Sequence, residues 1–274
     1  MVVAITGASA GIGAALAREL STAGARLALG ARRLERLEAL NRVFGGQHLC
    51  ARIDVADPEQ CEQFIGMTVE RYRRLDTLVC NAGYGFLRPV AQTSAEQMRQ
   101  VFQTNLFGTA DCIRAAVPQM LKQEVRDGWR GHIVIVTSAV ARRAIPFFGA
   151  YSATKAAQLS LAEALRVELS GQQIAVTSVH PIGTDTEFGT VSASLSEGKR
   201  PREIRGERRQ TAEAVAATMT RAIERPRPEA WPYEPARWML SLATLLPRMA
   251  DRMLIGRRAD MSGAAGLSDQ SNGK

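Results

Sequence analysis

Tyr151 and Lys155, the ends of the run YSATK, are a phenol and an ammonium four residues apart. On a helix that spacing puts both on one face, one turn apart. A phenol titrates near ~10, which suits it poorly to proton transfer at neutral pH. A fixed positive charge beside it favours the phenolate and draws its pKa toward the useful range. Alone, Y-x-x-x-K is a tyrosine near a helix start with a lysine after it, and it becomes chemistry only if the chain supplies something to act on.

TGASAGIG, residues 6–13, lies between an apolar run and a helix-like stretch. Its glycines Gly7, Gly11 and Gly13 allow a tight turn and a close backbone approach to a pyrophosphate, which the N–H groups of a following helix attract. Gly7, Ser9, Gly11, Ile12 and Gly13 are therefore candidate cofactor contacts. After the second apolar run comes GARRLERL. An acid there would accept from the ribose 2′-OH of NAD, whereas Arg32 and Arg33 suit a 2′-phosphate in charge and shape. NADP(H) is the expected cofactor. Asp54 and Val55 could hold the adenine, and Asn81, Ala82 and Gly83 offer a close backbone approach beside its ribose. The same string also reads G-x-S-x-G through Gly7, Ser9 and Gly11, the nucleophile elbow of a hydrolase. Too few residues precede Ser9 for the loop that carries an oxyanion N–H, and His180 has no acidic partner arranged for it, so that reading ranks last.

These groups need a scaffold that brings distant segments to one edge. Short β-rich apolar runs alternate with longer helix-like stretches, which argues an α/β protein whose single doubly wound parallel sheet is covered on both faces. Strands are expected at residues 2–6, 26–30, 48–53, 77–80, 132–137 and 174–180, and helices at 14–22, 35–44, 59–73, 95–122 and 153–169. Thr211 reads as the N-cap of a further helix with Glu213 in its first turn. Farther on, an apolar stripe of Trp238, Leu242, Leu245, Leu246, Met249 and Met253 is bordered by arginines, and Pro247 must bend or restart the helix. This stretch falls short of the ~20 residues of a membrane span. We expect it to pack on the body of the protein or on a second subunit, a membrane interface being the less favoured alternative. Residues 1–258 then form one domain, with 235–258 as an amphipathic helical extension and 259–274 as a disordered tail.

Bulk properties narrow the function classes. The 274 residues are 46% hydrophobic and 23% charged, the composition of an ordinary globular protein, with a formal net charge of +8. The basic residues are dispersed, and their densest run, GKRPREIRGERR, mixes in acids and has no aromatic for base stacking, so no nucleic acid partner is expected. Cys50, Cys61, Cys80 and Cys112 and the three histidines show no C-x-x-C or H-x-x-x-H grouping. No metal site or disulfide framework is expected, and buried thiols are the default. The start, MVVAITGASAGIG, turns glycine-rich at once, without a basic leader before an apolar core, and leads us to expect a cytoplasmic protein.

In order and spacing, TGASAGIG, NAG, Asn105, Ser138 and YSATK resemble the motifs of the short-chain dehydrogenase/reductase family, over about residues 2–188. The resemblance implies a Rossmann fold and an NADP-dependent oxidoreductase interconverting a ketone and a secondary alcohol. Its catalytic residues would be Asn105, Ser138, Tyr151 and Lys155. Tyr151 would act as acid or base, Lys155 would tune it and hold the nicotinamide ribose, Ser138 would hold the substrate oxygen, and Asn105 would anchor a water linking Lys155 to solvent. HPIGTDTEF resembles the family segment after the sixth strand, which implies Pro181, Thr184 and Thr186 on the nicotinamide side, with Ile182 where glycine is common. A homodimer or homotetramer through the helices at 95–122 and 153–169 is also implied. Substrate choice is expected in residues 184–209, in 84–90, and at Ile145, Phe147 and Phe148, whose apolar character points to a hydrophobic substrate. The alternative from another class is a non-catalytic NADP-binding sensor.

Overall fold

The first strand, β1 (Val2–Thr6), is buried at every position. Val2 and Ala4 join the core on one face of the sheet, Val3 and Ile5 the core on the other. A strand with apolar side chains on both faces needs helices above and below it. The computed structural model describes residues 1–196, 209–258 and Met261. Its main sheet also contains β2 (Arg26–Ala31), β3 (Leu49–Arg52), β4 (Thr77–Cys80), β5 (Gly131–Val136) and β6 (Ile174–Val179). A short pair, β7 (Thr184–Asp185) and β8 (Gln210–Thr211), stands apart, and β9 (Glu229–Ala230) closes the edge beside β6. The order is β3-β2-β1-β4-β5-β6-β9, with every pairing parallel. Strand order reverses between β1 and β4, and the crevice at their carboxyl ends is where such sheets bind ligands.

One core lies under α1 (Gly11–Thr22), α2 (Leu34–Val43) and α8 (Ala212–Glu224). The other lies under α3 (Pro58–Tyr72), α5 (Gly108–Leu121) and α6 (Gly149–Glu168). Local chemistry sets the starts of several helices. Asp57 caps α3 by accepting from Glu59 N at 2.9 Å, and Pro58 occupies its first position. Ser94 and Gln97 form a capping box at α4 (Ala95–Phe102). Thr211 caps α8 through Ala214 N at 3.1 Å, as the sequence predicts.

Several expectations need correction. The single helix expected at 95–122 is α4 and α5 joined by a π-helical turn, Gln103–Phe107, with Asn105 at its centre. α6 starts at Gly149 instead of residue 153, so Tyr151 and Lys155 both lie within it. The strand β9 is too short to carry an alternation that the sequence could show. α7 (Glu187–Leu195) rises from a stretch expected to be a polar loop. Pro247 restarts the C-terminal helix, giving α9 (Glu234–Leu245) and α10 (Pro247–Gly256). Their apolar stripe does not pack on the body of the protein, since Trp238 is 71% and Leu245 77% exposed. Only the small side chains Ala236 and Ala250 are buried in these two helices. The expected tail at 259–274, Met261 apart, and residues 197–208 of the expected substrate loop lie outside the described residues. Cys61, Cys80 and Cys112 are buried thiols, while Cys50 is half-buried. Among the described residues no helix is long and apolar enough to cross a membrane.

Candidate active site

At the carboxyl end of β1 the chain turns through Gly7 and Gly11, whose φ angles of +67° and +55° are left-handed. A Cβ on Gly7 would sit 2.8 Å from Ala82 Cα, and one on Gly13 would sit 2.5 Å from Gly7 O. The loop is therefore closed against Asn81 and Ala82, while Gly83 lies against the Asn105 side chain. Asn81 Nδ2 donates to Thr6 O at 3.0 Å and Gly7 O at 3.2 Å. Thr6 Oγ1 accepts from the N–H groups of Asn81 and Ala82, each at 3.1 Å. α1 begins at Ala10 with no side-chain cap. The N–H groups of Gly11, Ile12 and Gly13 thus have no intrahelical acceptor and face outward at the positive end of the helix. A backbone cradle of this kind fits a pyrophosphate.

Beside it, Arg33 donates to Ser9 Oγ at 3.3 Å and to Glu187 Oε2 at 2.9 Å. Arg36 donates to the other oxygen of Glu187 at 2.5 Å, so two cations share one carboxylate at the start of α7. The two arginines hold Glu187 below the usual carboxylate range. Arg32 is exposed and near enough, together with Asp54, to act on the Tyr84 phenol. Asp54 Oδ1 accepts from Ala56 N at 3.0 Å in the turn that follows β3, and Val55 is buried.

The other end of the crevice gathers Ser138, Tyr151, Lys155 and Asn105. Ser138 follows β5, and its hydroxyl donates to Pro181 O at 3.3 Å. Burial raises the Tyr151 phenol well above its usual range, with a side-chain hydrogen bond to Ser138 opposing the rise. Lys155 Nζ lies 5.5 Å from the Tyr151 ring centroid, and burial brings its pKa down to about 7. Desolvation, which penalises charge on both groups, is the largest influence on each.

Lys155 Nζ donates to Val136 O and to Gln158 Oε1, both at 2.8 Å. Gln158 Nε2 in turn donates to Asn105 O at 2.7 Å and to Thr109 Oγ1 at 2.8 Å. The π turn interrupts the regular helical ladder, which turns the Asn105 carbonyl toward these side chains. The Asn105 side chain is fully engaged elsewhere: Oδ1 accepts from Tyr84 N at 3.0 Å, while Nδ2 donates to Tyr84 O at 2.8 Å and Thr154 Oγ1 at 2.9 Å. An amide side chain thus joins Lys155 to the Asn105 carbonyl.

Aromatic rings close the space above Tyr151. Phe148 stands 4.5 Å and Phe188 5.3 Å from it, centroid to centroid. Phe147 holds a left-handed φ of 63°, an uncommon conformation for a bulky residue. A Cβ on Gly11 would meet Thr186 Cβ at 3.1 Å, so the segment carrying Thr186 and Phe188 spans from the glycine loop to Tyr151. Pro181 O accepts from Ala139 N at 2.9 Å, and Thr184 Oγ1 donates to Ile182 O at 2.8 Å. Ile182 packs against the apolar cluster of Ala139, Trp231 and Ala236, a seat that a glycine would leave unfilled. Ser9, the hydrolase candidate, has Arg33 as its side-chain partner. The His180 ring is occupied by Thr137 at 3.2 Å and Ser178 at 3.0 Å and stacks on Trp231 at 4.3 Å.

Sequence reasoning missed four participants. Gln158 had a signal, a polar residue three positions after Lys155 on the same helix face. Thr6 lay inside the quoted glycine-rich string. Arg36 and Glu187 are 151 residues apart and left no local trace.

A family model described as short chain dehydrogenase matches residues 1–195. Among curated relatives, dehydrogenase/reductase SDR family member 7B of Xenopus tropicalis is 30% identical over 91% of this chain and 79% of its own. Glycine betaine reductase ATRR of Emericella nidulans is 33% identical over 82% of this chain, which spans only 18% of that protein. Among solved structures, a Thermococcus sibiricus alcohol dehydrogenase complexed with 5-hydroxy-NADP is 29% identical, covers 84% of this chain and 94% of its own, and has a TM-score of 0.72. A Burkholderia phymatum short chain dehydrogenase/reductase shares the fold at a TM-score of 0.79 and 22% identity, over 91% of this chain and 94% of its own.

Proposed function

The chain belongs to the short-chain dehydrogenase/reductase family, and on that premise we propose that it is an NADP(H)-dependent oxidoreductase interconverting a ketone and a secondary alcohol. The observation that carries the reading is the Tyr151 phenol set beside Ser138 and the Lys155 ammonium, with phenol and ammonium both buried at the mouth of the parallel sheet.

When bound, the nicotinamide cofactor supplies or takes up the hydride. The chain does the rest. Gly7, Ser9, Gly11, Ile12 and Gly13 cradle the pyrophosphate, Asp54 and Val55 hold the adenine, and Asn81, Ala82 and Gly83 flank its ribose. Arg32 and Arg33 take the 2′-phosphate, Arg33 exchanging the Glu187 carboxylate for it. A phosphate dianion is the stronger partner for a guanidinium fork. Pro181, Thr184 and Thr186 border the nicotinamide side, and Lys155 holds the nicotinamide ribose.

In reduction the Tyr151 hydroxyl gives its proton to the carbonyl oxygen, which the Ser138 hydroxyl holds in place. The phenolate left behind is the form that burial disfavours, so the Lys155 ammonium is its necessary countercharge. Gln158 is a positioning residue: its carbonyl oxygen accepts from Nζ and favours the ammonium, and its amide ties that pair to the Asn105 carbonyl. Phe148 and Phe188 favour an apolar substrate. We also propose a homodimer or homotetramer through α4, the π turn, α5 and α6, a surface that exposes Phe107, Leu121 and Val167.

The test is a panel of apolar ketones screened for NADPH oxidation, with Tyr151→Phe as control. The wild type should turn over at least one ketone, and the variant should bind NADPH equally well with turnover lost. Full activity in the variant, or cofactor binding with no ketone consumed, would reject the assignment.

A further inference from the structure

The helices α9 and α10 carry a surface unlike the rest of the domain. Trp238, Leu242, Leu245, Met249 and Met253 are between 50% and 77% exposed. Spacings of four and three residues line Trp238, Leu242 and Leu245 along one face of α9, and a spacing of four lines Met249 and Met253 along one face of α10. Arg248, Arg252, Arg257 and Arg258 accompany the stripe and have no acidic partner among the described residues. The nearby acid Asp251 is already paired with Arg143.

We propose that this face docks on the surface of an anionic phospholipid bilayer, with the Trp238–Met253 stripe at the headgroup–acyl boundary and the four arginines on lipid phosphates. Three observations favour lipid over other occupants. The helices have 12 and 10 residues, long enough to lie in an interface and too short to cross it. The cations bordering the stripe need a countercharge that the described residues do not provide, and an anionic leaflet provides it. A second copy packed isologously on this face would add the same excess of cation, four arginines against the one acid Glu234, and so bring too little countercharge of its own. The docked face also adjoins the site. α9 contributes Ala236 to a small apolar cluster with Trp231 and with Ala139, next to Ser138, and Leu240 and Ile182 both pack against that cluster. Docking itself does not depend on the activity proposed above. It would bring the bilayer beside the side from which an apolar substrate enters.

The experiment is sedimentation of the full chain with vesicles of phosphatidylcholine alone and of phosphatidylcholine with phosphatidylglycerol. The protein should pellet with the anionic vesicles only, and added salt should weaken the binding. R248E/R252E, confined to exposed side chains, should lower the partition coefficient roughly thirtyfold or more while leaving the circular dichroism spectrum unchanged. L242S/L245S should abolish pelleting. Absence of binding to anionic vesicles would overturn the proposal, as would binding unchanged in R248E/R252E. A dimer in light scattering that L242S/L245S splits into monomers, with no vesicle binding by the wild type, would overturn it in favour of self-association.

Discussion

Replacing Gln158 with leucine removes one hydrogen bond from the Lys155 ammonium while nearly keeping side-chain volume and helix propensity. The bond is 2.8 Å long and both groups are buried. A hydrogen bond to a charged group contributes about 1.5–3 kcal/mol, which is about one to two pKa units. Burial has already brought Lys155 down to about 7, so in the variant it should titrate about one to two units lower. At pH 7 the charged fraction then falls from about a half to about a tenth or less. If reduction needs the ammonium, kcat/KM at pH 7 drops about fivefold or more, and its alkaline limb moves acidward by the same one to two units. Gln158→Glu acts with the opposite sign, since a carboxylate beside Nζ favours the ammonium and moves the limb alkaline. Initial rates of NADPH oxidation across the pH range measure the limb, and urea unfolding of each variant accounts for lost stability separately. Identical limbs in wild type, Q158L and Q158E, or shifts of the same sign in both variants, would refute the reasoning.

Three further outcomes are expected. Glu187→Gln releases Arg33 and Arg36 from their shared carboxylate, so NADPH should bind more tightly with NADH little changed; equal changes in both titrations would argue against a 2′-phosphate at Arg33. Gly13→Ala places a methyl 2.5 Å from Gly7 O and 2.6 Å from Asn81 Nδ2; cofactor binding should be lost and stability lowered by about 1–3 kcal/mol, read by urea titration. His132 is buried, and burial lowers its pKa from 6.5 to about 3, so the unfolded chain binds its proton first on acidification. Stability is then fully present above about 6.5 and falls as pH drops toward 3. Between pH 6.5 and 5 this one residue removes about 2 kcal/mol, a slope that His132→Leu should flatten in unfolding curves at the two pH values.

What the sequence determined by itself is whatever covalent spacing encodes. The unbroken apolar run within Val2–Thr6 needs only a strand covered on both faces, the Gly7, Gly11 and Gly13 turn needs only absent side chains, and the pairing of Tyr151 with Lys155 needs only one helical turn. For the same reason the parallel sheet and the segments carrying Asn105, Ser138 and Tyr151 were legible, and the structure gathers them at one end of it. Tertiary structure decided the rest. The π turn at Asn105, the amide bridge of Gln158 and the clasp of Glu187 on Arg33 and Arg36 join residues far apart in the chain, which no local window contains. Packing also fixed the electrostatics of the site. Sequence offered a cation beside a phenol, but only burial of both determines that desolvation, rather than their proximity, dominates each pKa. The C-terminal stripe makes the same point in reverse, since its periodicity was plain and only the assembled fold leaves it uncovered.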